Sequence, residues 1–354
     1  MDLKDLGWSD FWESNFEKEN NHSVARVISE EKESYFVQTE KSKYFAQITG
    51  NLRFTANDRL DFPIVGDWVL ITELDETQAI IHKILPRKSI LKRKSVSSKS
   101  EVQPLASNVD FALIMQSLDQ NYNLNRIERY LSITNVDNIK SILIFTKLDL
   151  LSEDEIEKYK KEISERVKNV PFVFISNITK EGLGIIKEYL KPGNTFCVLG
   201  SSGVGKSSFI NSIVENNLLK IGEVSYSNTK GKHTTTHREL IITETFGILI
   251  DTPGMREIGL TSEEEGLIDT FEDIYNLENE CRYNNCTHIS EEGCAVLGAI
   301  ESGELSLKSF ENFQKMKREQ EHFSMNNYER RSKDKKFGKM VKKVMSEKKK
   351  GRGG

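Results

Sequence analysis

A glycine-rich octapeptide in the middle of the chain constrains the fold more than any other segment. It runs Gly200-Ser-Ser-Gly-Val-Gly-Lys-Ser207, between the apolar segment FCVLG and the helical pattern SSFINSIVEN. In this setting the pattern G-x-x-x-x-G-K-[ST] forms a turn whose backbone N–H groups point at phosphate oxygens. The start of the following helix adds a positive partial charge. The octapeptide therefore predicts a nucleoside triphosphate site, with contacts expected from Gly200, Ser201, Ser202, Gly203, Val204, Gly205, Lys206, Ser207 and Ser208.

Apolar strands alternate with helical patterns from about residue 105 to residue 260. The predicted buried strands are VDFALIMQSL, SILIFTKLD, PFVFIS, FCVLG and FGILID, with helices such as NLNRIERYLSIT between them. Continuously apolar strands separated by helices indicate a mostly parallel sheet that is covered on both faces.

An acidic residue ends the last of these strands. Asp251 opens the tetrapeptide Asp251-Thr-Pro-Gly254 and lies 45 residues after Lys206. Alone, D-x-P-G is a common turn. Together with the phosphate loop it predicts a Mg²⁺ site, in which Ser207 and Asp251 are the protein ligands. Gly254 is expected beside the nucleotide.

Two further strand ends predict which base is bound. Thr146-Lys147-Leu148-Asp149 ends SILIFTKLD, and Ser176-Asn177 ends PFVFIS. The carboxylate of Asp149 can accept hydrogen bonds from both N1–H and N2–H₂ of guanine, a donor pair that adenine lacks. We therefore expect a guanine site formed by Thr146, Lys147, Asp149, Ser176 and Asn177, and GTP or GDP as the ligand.

The order of these motifs along the chain is unusual. In ordinary regulatory GTPases the phosphate loop comes first and the base-reading loops come last. Here residues 146–149 and 176–177 precede residues 200–207. The sequence therefore predicts a circularly permuted P-loop GTPase domain.

The segment from about residue 22 to residue 90 has a different pattern. VARVISE, SYFVQTE, YFAQITG, DWVLITE and AIIHKIL are short, alternating or β-branched segments separated by turn residues. Five such strands in about 70 residues fit a small barrel of the oligonucleotide-binding (OB) type, although other small barrels have the same pattern. The basic connector PRKSILKRKS that follows is either a phosphate-contacting edge or a solvated linker.

Three of the four cysteines lie in one short segment. Cys281, Cys286, His288 and Cys294 have the residue types and spacing of a closed, tetrahedral, structural Zn²⁺ site. Chance clustering is the alternative. The remaining cysteine, Cys197, falls on an apolar strand and is expected in the core.

Positive charge is concentrated at the C-terminal end. Residues 331–354 carry eleven Lys/Arg and two acidic residues, a net charge of +9, whereas the other 330 residues carry −13. Such a tail suggests a polyanionic partner, most simply nucleic acid, or else a solvated solubility tail. No run of about 18 apolar residues and no signal peptide is present, so we expect a cytoplasmic protein without membrane contact.

These motifs together resemble the RsgA (YjeQ/YloQ) family of ribosome small-subunit-dependent GTPases. The resemblance covers nearly the whole chain and includes GDWV at 66–69, ILPRKS at 84–89, NVD at 108–110, NLNRIERYL at 123–131, TKLD, GSSGVGKSS, GKHTTTHREL at 231–240, DTPGMRE and the cysteine cluster. It implies an α/β protein with an OB-type barrel at 1–90, a permuted GTPase domain at 91–265 and a helical zinc-binding domain with the basic tail at 266–354. It also implies GTP hydrolysis stimulated by the small ribosomal subunit during late assembly, through contacts with ribosomal RNA. We expect the protein to act as a monomer.

The resemblance also indicates where hydrolysis would be assisted. Met255 stands where Ras-like enzymes have the water-orienting glutamine, and the resembled family lacks that glutamine as well. Thr235, in the first switch, is expected to complete the Mg²⁺ site when the γ-phosphate is present. His233 is a candidate for orienting the attacking water, with a solvated loop histidine as the alternative. Two other functions remain open: a P-loop ATPase or nucleotide kinase, and a nucleic-acid-binding module that uses its nucleotide only as a lock.

Overall fold

The computed structural model describes residues 1–15, 22–31, 34–94, 102–214, 239–243, 245–251 and 265–324. Thirteen strands and ten α-helices lie in these ranges. No helix in this part of the chain is both long and apolar enough to cross a bilayer.

Five strands close a small barrel after the short helix α1 (Asp10–Asn15). They are β1 (Ser23–Glu31), β2 (Ser34–Gln38), β3 (Lys43–Ile48), β4 (Trp68–Glu73) and β5 (Gln78–Ile84), and α2 (Gly50–Thr55) lies between β3 and β4. The strands pair in the order β1-β2-β3-β5-β4, and β4 pairs again with β1. Alternate residues such as Ala25, Val27 and Tyr35 fill the interior, as the period-two pattern requires. The predicted OB-type barrel is confirmed.

The connector after the barrel is a strand, which its basic composition did not indicate. Residues Ile90–Lys94 form β6, which pairs antiparallel with β7 (Val102–Ser107). Leu91 and Leu105 belong to the main hydrophobic core. The apolar side chains of this hairpin therefore bind it to the body of the protein, so it is not a solvated linker.

The second half of the sheet has the predicted parallel arrangement. Its strands are β8 (Phe111–Ser117), β9 (Lys140–Thr146), β10 (Phe172–Phe174), β11 (Thr195–Gly200), β12 (Glu239–Thr243) and β13 (Gly247–Asp251), in the spatial order β10-β9-β8-β11-β13-β12. All neighbours are parallel except β12, which runs antiparallel to β13. The helices beside them are α3 (Leu124–Asn135), α4 (Glu153–Arg166), α5 (Leu183–Tyr189) and α6 (Lys206–Val214).

Consecutive residues of these strands belong to different cores. In β8, Ala112 and Ile114 lie in one hydrophobic cluster, while Leu113 and Met115 lie in the other. Strand β8 is thus buried on both faces, and this explains why residues 112–115 are all apolar.

The barrel and the parallel sheet are joined by backbone pairing. Strand β12 pairs antiparallel with β1, where Ser29 lies opposite Glu239, so one sheet of eleven strands runs through both parts. The two parts consequently meet through main-chain contact and not only through side chains.

Four helices follow the sheet: α7 (Glu265–Thr270), α8 (Glu272–Asn279), α9 (Ala295–Ser302) and α10 (Leu307–Ser324). Helix α10 is attached to α3 by charged side chains. Glu128 of α3, only 2% exposed, accepts hydrogen bonds from Arg166, Ser309 and Asn312. Arg129 makes two hydrogen bonds to Glu319, at 2.9 and 2.8 Å. The helical C-terminal part is therefore fixed to the helix that lies beside the parallel sheet.

A fully buried arginine holds the barrel against the parallel sheet. Arg26 of β1 donates to the carbonyl oxygens of Leu6 and Gly66 and, at 2.8 Å, to the Thr195 hydroxyl of β11. Burial lowers the pKa of its guanidinium to about 10, so it stays charged at neutral pH. A planar guanidinium can serve acceptors in several directions at once.

We predict that Arg26→Ala lowers the free energy of unfolding by about 3 kcal/mol or more, because several buried acceptors lose their donor. Urea denaturation measures this change. Arg53→Ala, at an exposed position of α2, is the matched control and should change stability by less than about 0.5 kcal/mol. Equal losses in the two variants would contradict a junction role for Arg26.

Candidate nucleotide site and metal centre

The phosphate loop leaves the end of β11 and enters α6, as predicted. Gly200, Gly203 and Gly205 have φ values of +150°, +82° and +91°. A Cβ atom at Gly200 would lie 2.5 Å from the carbonyl oxygen of Met115, and one at Gly205 would lie 2.7 Å from Nδ2 of Asn177. Gly200 is therefore required both by backbone conformation and by close packing against a backbone carbonyl, whereas Gly205 is required by its backbone conformation.

The side chain of Lys206 folds back onto the phosphate loop. Lys206 Nζ donates to the carbonyl oxygens of Gly200 and Ser201 at 2.7 and 2.8 Å. Ser207 and Ser208 follow on the exposed side of the first turn of α6. An ammonium group and a helix start thus meet at one point, an arrangement suited to binding phosphate.

Asp251 lies beside this loop because of strand register. It is the last residue of β13 and pairs with Val198 of β11. Burial raises the pKa of the Asp251 carboxyl, and the nearby Lys206 ammonium opposes that shift. The Asp251 carboxylate interacts with the Lys206 ammonium, and Ser207 follows Lys206 in the chain. A carboxylate and a hydroxyl offer the oxygen ligands that Mg²⁺ prefers, so the two residues fit the predicted cation.

Both base-reading loops make hydrogen bonds to the phosphate loop. The Thr146 hydroxyl donates to the Val204 carbonyl at 2.7 Å, and Asn177 Nδ2 donates to the Gly205 carbonyl at 3.2 Å. Ser176 donates to Asp149 Oδ1 at 2.5 Å. The Ser176 oxygen also accepts from the backbone N–H groups of residues 178 and 179. The hydroxyl thereby orients the exposed Asp149 carboxylate that is predicted to read guanine.

Asp119 supports this site, and the sequence argument did not include it. Its Oδ2 lies 2.6 Å from Lys147 Nζ, and Lys147 itself has a left-handed backbone (φ 68°). Burial alone would raise the pKa of Asp119, but hydrogen bonds from Lys147, from the Asn121 N–H and from Ser117 lower it to about 2. An acidic residue just past the end of β8 was a usable signal, because the ends of parallel neighbours meet at one edge.

Arg126 also contacts the phosphate loop. Its Nη1 lies 3.2 Å from the Ser201 hydroxyl and 3.4 Å from the Asn121 carbonyl. Among the described residues no carboxylate is bonded to this guanidinium. No sequence signal pointed to Arg126, because 75 residues separate it from Ser201.

Three predicted site residues, His233, Thr235 and Gly254, lie outside the described residues. The other predicted nucleotide contacts all lie at the carboxyl edge of the parallel strands or on the loop and helix that leave it. That edge is where open α/β sheets bind their ligands.

The cysteine cluster forms a second site between α8 and α9. One ligand atom from each of Cys281, Cys286, His288 and Cys294 lies within 4.8 Å of all the others. Cys281 Sγ is 3.9 Å from Cys294 Sγ, and His288 Nδ1 is 3.6 and 3.3 Å from those two sulfurs. Ligands at tetrahedral Zn²⁺ are separated by about 3.5–3.8 Å, given Zn–S and Zn–N bonds of about 2.3 and 2.0 Å. The four side chains therefore fit a closed zinc site.

The pKa values of two thiols in this cluster are shifted in opposite directions. Burial, together with hydrogen bonding to the neighbouring thiols, raises the pKa of Cys294 to about 11. Burial acts in the same direction on Cys281, but backbone N–H groups of residues 295 and 296 and the adjacent thiols outweigh it and lower its pKa. Thiolate ligands near the start of α9 would be stabilised by these N–H groups and by the cation.

We predict that the purified protein holds one equivalent of Zn²⁺ and that Cys286→Ala loses it during dialysis against a weak chelator, because three ligands hold zinc less tightly than four. Metal content is measured by elemental analysis. Cys197→Ala is the matched control, since Cys197 is buried in β11, and it should keep the full equivalent. Zinc retained by both variants would contradict the assignment of Cys286 as a ligand.

Comparisons with known proteins show which family the chain resembles. The family model described as RsgA GTPase matches residues 84–261. The "Small ribosomal subunit biogenesis GTPase RsgA 1" of Bacteroides thetaiotaomicron is 36% identical over 348 residues, covering 97% of this chain and 96% of its own length.

Two solved structures are similar over most of the chain. One is YjeQ from Thermotoga maritima, with a TM-score of 0.63 and 26% identity, covering 83% of this chain and 97% of its own. The other is YloQ, described as a circularly permuted GTPase, with a TM-score of 0.62 and 23% identity, covering 88% and 100%. The YloQ structure supports the permuted fold. The curated relative and the family model show that the similarity is present in the sequence as well. The chain therefore belongs to the RsgA family of GTPases.

Proposed function

We propose that this protein hydrolyses GTP to GDP and phosphate when it is bound to the small ribosomal subunit, and that it acts in late assembly of that subunit. The observation that carries the proposal is the convergence of the phosphate loop, the base-reading loops and Asp251 at one edge of the sheet. Its sequence relative is named as a GTPase of small-subunit biogenesis, which supports the same role here.

Each residue at this edge has a proposed task. Lys206 and the backbone N–H groups of residues 200–208 bind the phosphates, while Asp149 accepts the guanine N–H groups. Ser207, Asp251 and, in the GTP state, Thr235 would hold Mg²⁺, which would supply positive charge to the phosphates. Thr146 and Asn177 donate hydrogen bonds to the carbonyls of Val204 and Gly205. The base-reading loops are therefore held directly against the phosphate loop.

Hydrolysis itself is proposed to depend on the partner. No glutamine follows Gly254, where Met255 stands instead, so slow turnover is expected for the isolated protein. His233 is proposed to orient the attacking water when the small subunit is bound. A partner that completes a GTPase site can accelerate hydrolysis by several orders of magnitude.

We propose that three segments of the chain have different roles. Residues 1–90 and 266–354 would contact ribosomal RNA, and residues 91–265 would bind and hydrolyse GTP, in a protein that acts as a monomer. The net charge of +9 on residues 331–354 supports contact of the last segment with a polyanion.

The variant Asp149→Asn tests whether Asp149 selects guanine. In Asp149→Asn, a side-chain NH₂ faces the guanine N2–H₂ donor, so GTP affinity should fall by about 100-fold or more. Xanthosine triphosphate has an oxygen at that position and should bind the variant better than GTP does. Competition against a fluorescent nucleotide measures both. Asp154→Asn, at an exposed position in the first turn of α4, should bind GTP like the parent protein. ATP competing as well as GTP would overturn the guanine assignment.

Turnover measurements test the dependence on the subunit. Purified small subunits should raise the rate of GTP hydrolysis by about 10-fold or more, whereas large subunits should not. Lys206→Ala should lose both binding and stimulated turnover, because the phosphates lose their cation. His233→Ala should reduce stimulated turnover while GTP affinity is kept. Equal rates with and without small subunits would contradict the proposal, and tight GTP binding with no turnover in any mixture would favour a nucleotide-locked binding module.

A further inference from the structure

We propose that Glu278 is a positioning residue of the zinc site. Its carboxylate lies beside Nε2 of His288 and favours the tautomer that keeps the proton on Nε2, so that the Nδ1 lone pair faces the metal. Glu278 lies near the end of α8, three residues before Cys281, and is not itself one of the four ligands.

The orientation of His288 separates the tasks of its two nitrogens. Nδ1 lies 3.3 Å from Cys294 Sγ and 3.6 Å from Cys281 Sγ, so it faces the space among the thiols. Nε2 lies on the opposite side of the ring, 3.3 Å from Glu278 Oε1. A neutral imidazole carries one proton, which must be on Nε2 if Nδ1 is to bind a cation. The carboxylate is placed to select that form.

The Glu278 carboxylate also forms an ion pair with a lysine of α10. Lys317 Nζ lies 3.3 and 3.4 Å from its two oxygens. The same ammonium lies 5.5 Å from the centre of the Tyr275 ring and 5.2 Å from that of Phe313. The Glu278 side chain is only 20% exposed and that of His288 only 10%. Water therefore competes weakly for the contact between Glu278 and His288.

A buried carboxylate behind a metal-binding histidine has two effects. It fixes the ring orientation, so the ring does not have to be ordered when the metal binds, and it makes the ligating nitrogen a better donor. Loss of such a partner usually weakens metal binding by about 10- to 100-fold. At Glu278, an alanine would lose both effects, whereas a glutamine would keep an acceptor oxygen without the charge.

Competition for Zn²⁺ with a chromophoric chelator tests the proposal on the full-length chain. Glu278→Ala should bind Zn²⁺ about 10- to 100-fold more weakly than the parent protein, and Glu278→Gln should fall between the two. Glu280→Ala removes an equal charge two residues away, at a position exposed to solvent, and should bind Zn²⁺ like the parent. GTP affinity reports that each variant is folded.

Two further measurements separate positioning from packing. Lys317→Met removes the ion pair to Glu278 but leaves the contact between Glu278 and His288, so zinc affinity should stay within about threefold of the parent value. With Co²⁺ in place of zinc, Glu278→Ala should shift the visible d–d bands, while the thiolate-to-cobalt bands keep their intensity because three thiolates remain. The proposal is overturned if Glu278→Ala binds Zn²⁺ within twofold of the parent. It is also overturned if Lys317→Met or Glu280→Ala loses as much affinity as Glu278→Ala.

Discussion

The parallel pairing of β11 with β8 on one side and β13 on the other is the constraint on which the nucleotide site depends. Because these pairs are in register, Gly200 lies beside Met115 and Asp251 beside Val198. The pairing of β8 with β9 then brings Thr146 to the same edge. Residues that are distant in sequence become neighbours through main-chain hydrogen bonds alone, and side chains only complete what the sheet has brought together.

The permuted order of motifs is compatible with this sheet because strand order in space differs from strand order in the chain. Strand β11 can lie between β8 and β13 whether it comes first or fourth among the parallel strands, provided that each crossover carries a helix to cover a face. The two hydrophobic clusters that divide the residues of β8 show that both faces are covered in the permuted chain as well.

Sequence reasoning succeeded where function depends on residue type at short spacing. The phosphate loop, the zinc ligands and the apolar strands are of this kind, and the family and fold inferred from them are confirmed. It failed where a contact joins distant parts of the chain. Asp119 with Lys147, Arg126 with Ser201 and Arg26 with Thr195 are separated by 28, 75 and 169 residues. The hydrophobic periodicity of a sequence does not predict which of its many charged residues will form hydrogen bonds with each other.

The hairpin of β6 and β7 was not recognised as a pair of strands. Strand β6 begins with Ile90 and Leu91 and continues with three basic residues, so its basic composition concealed the two apolar positions. Five Lys/Arg between residues 87 and 94 suggested a phosphate-contacting edge or a solvated linker, and the burial of Leu91 and Leu105 in the core excludes only the linker. Long cationic side chains tolerate such positions because their charged ends can still reach water.

Helix α3 contacts the phosphate loop and the C-terminal helices within a single turn. Arg126 reaches Ser201, whereas Arg129 is bonded to Glu319 of α10. Three residues of α-helix rise by only about 4.5 Å along the helix axis, so Arg126 and Arg129 lie within one turn of α3. The phosphate loop and α10 therefore contact the same turn of α3. A shift of that turn would change both contacts together.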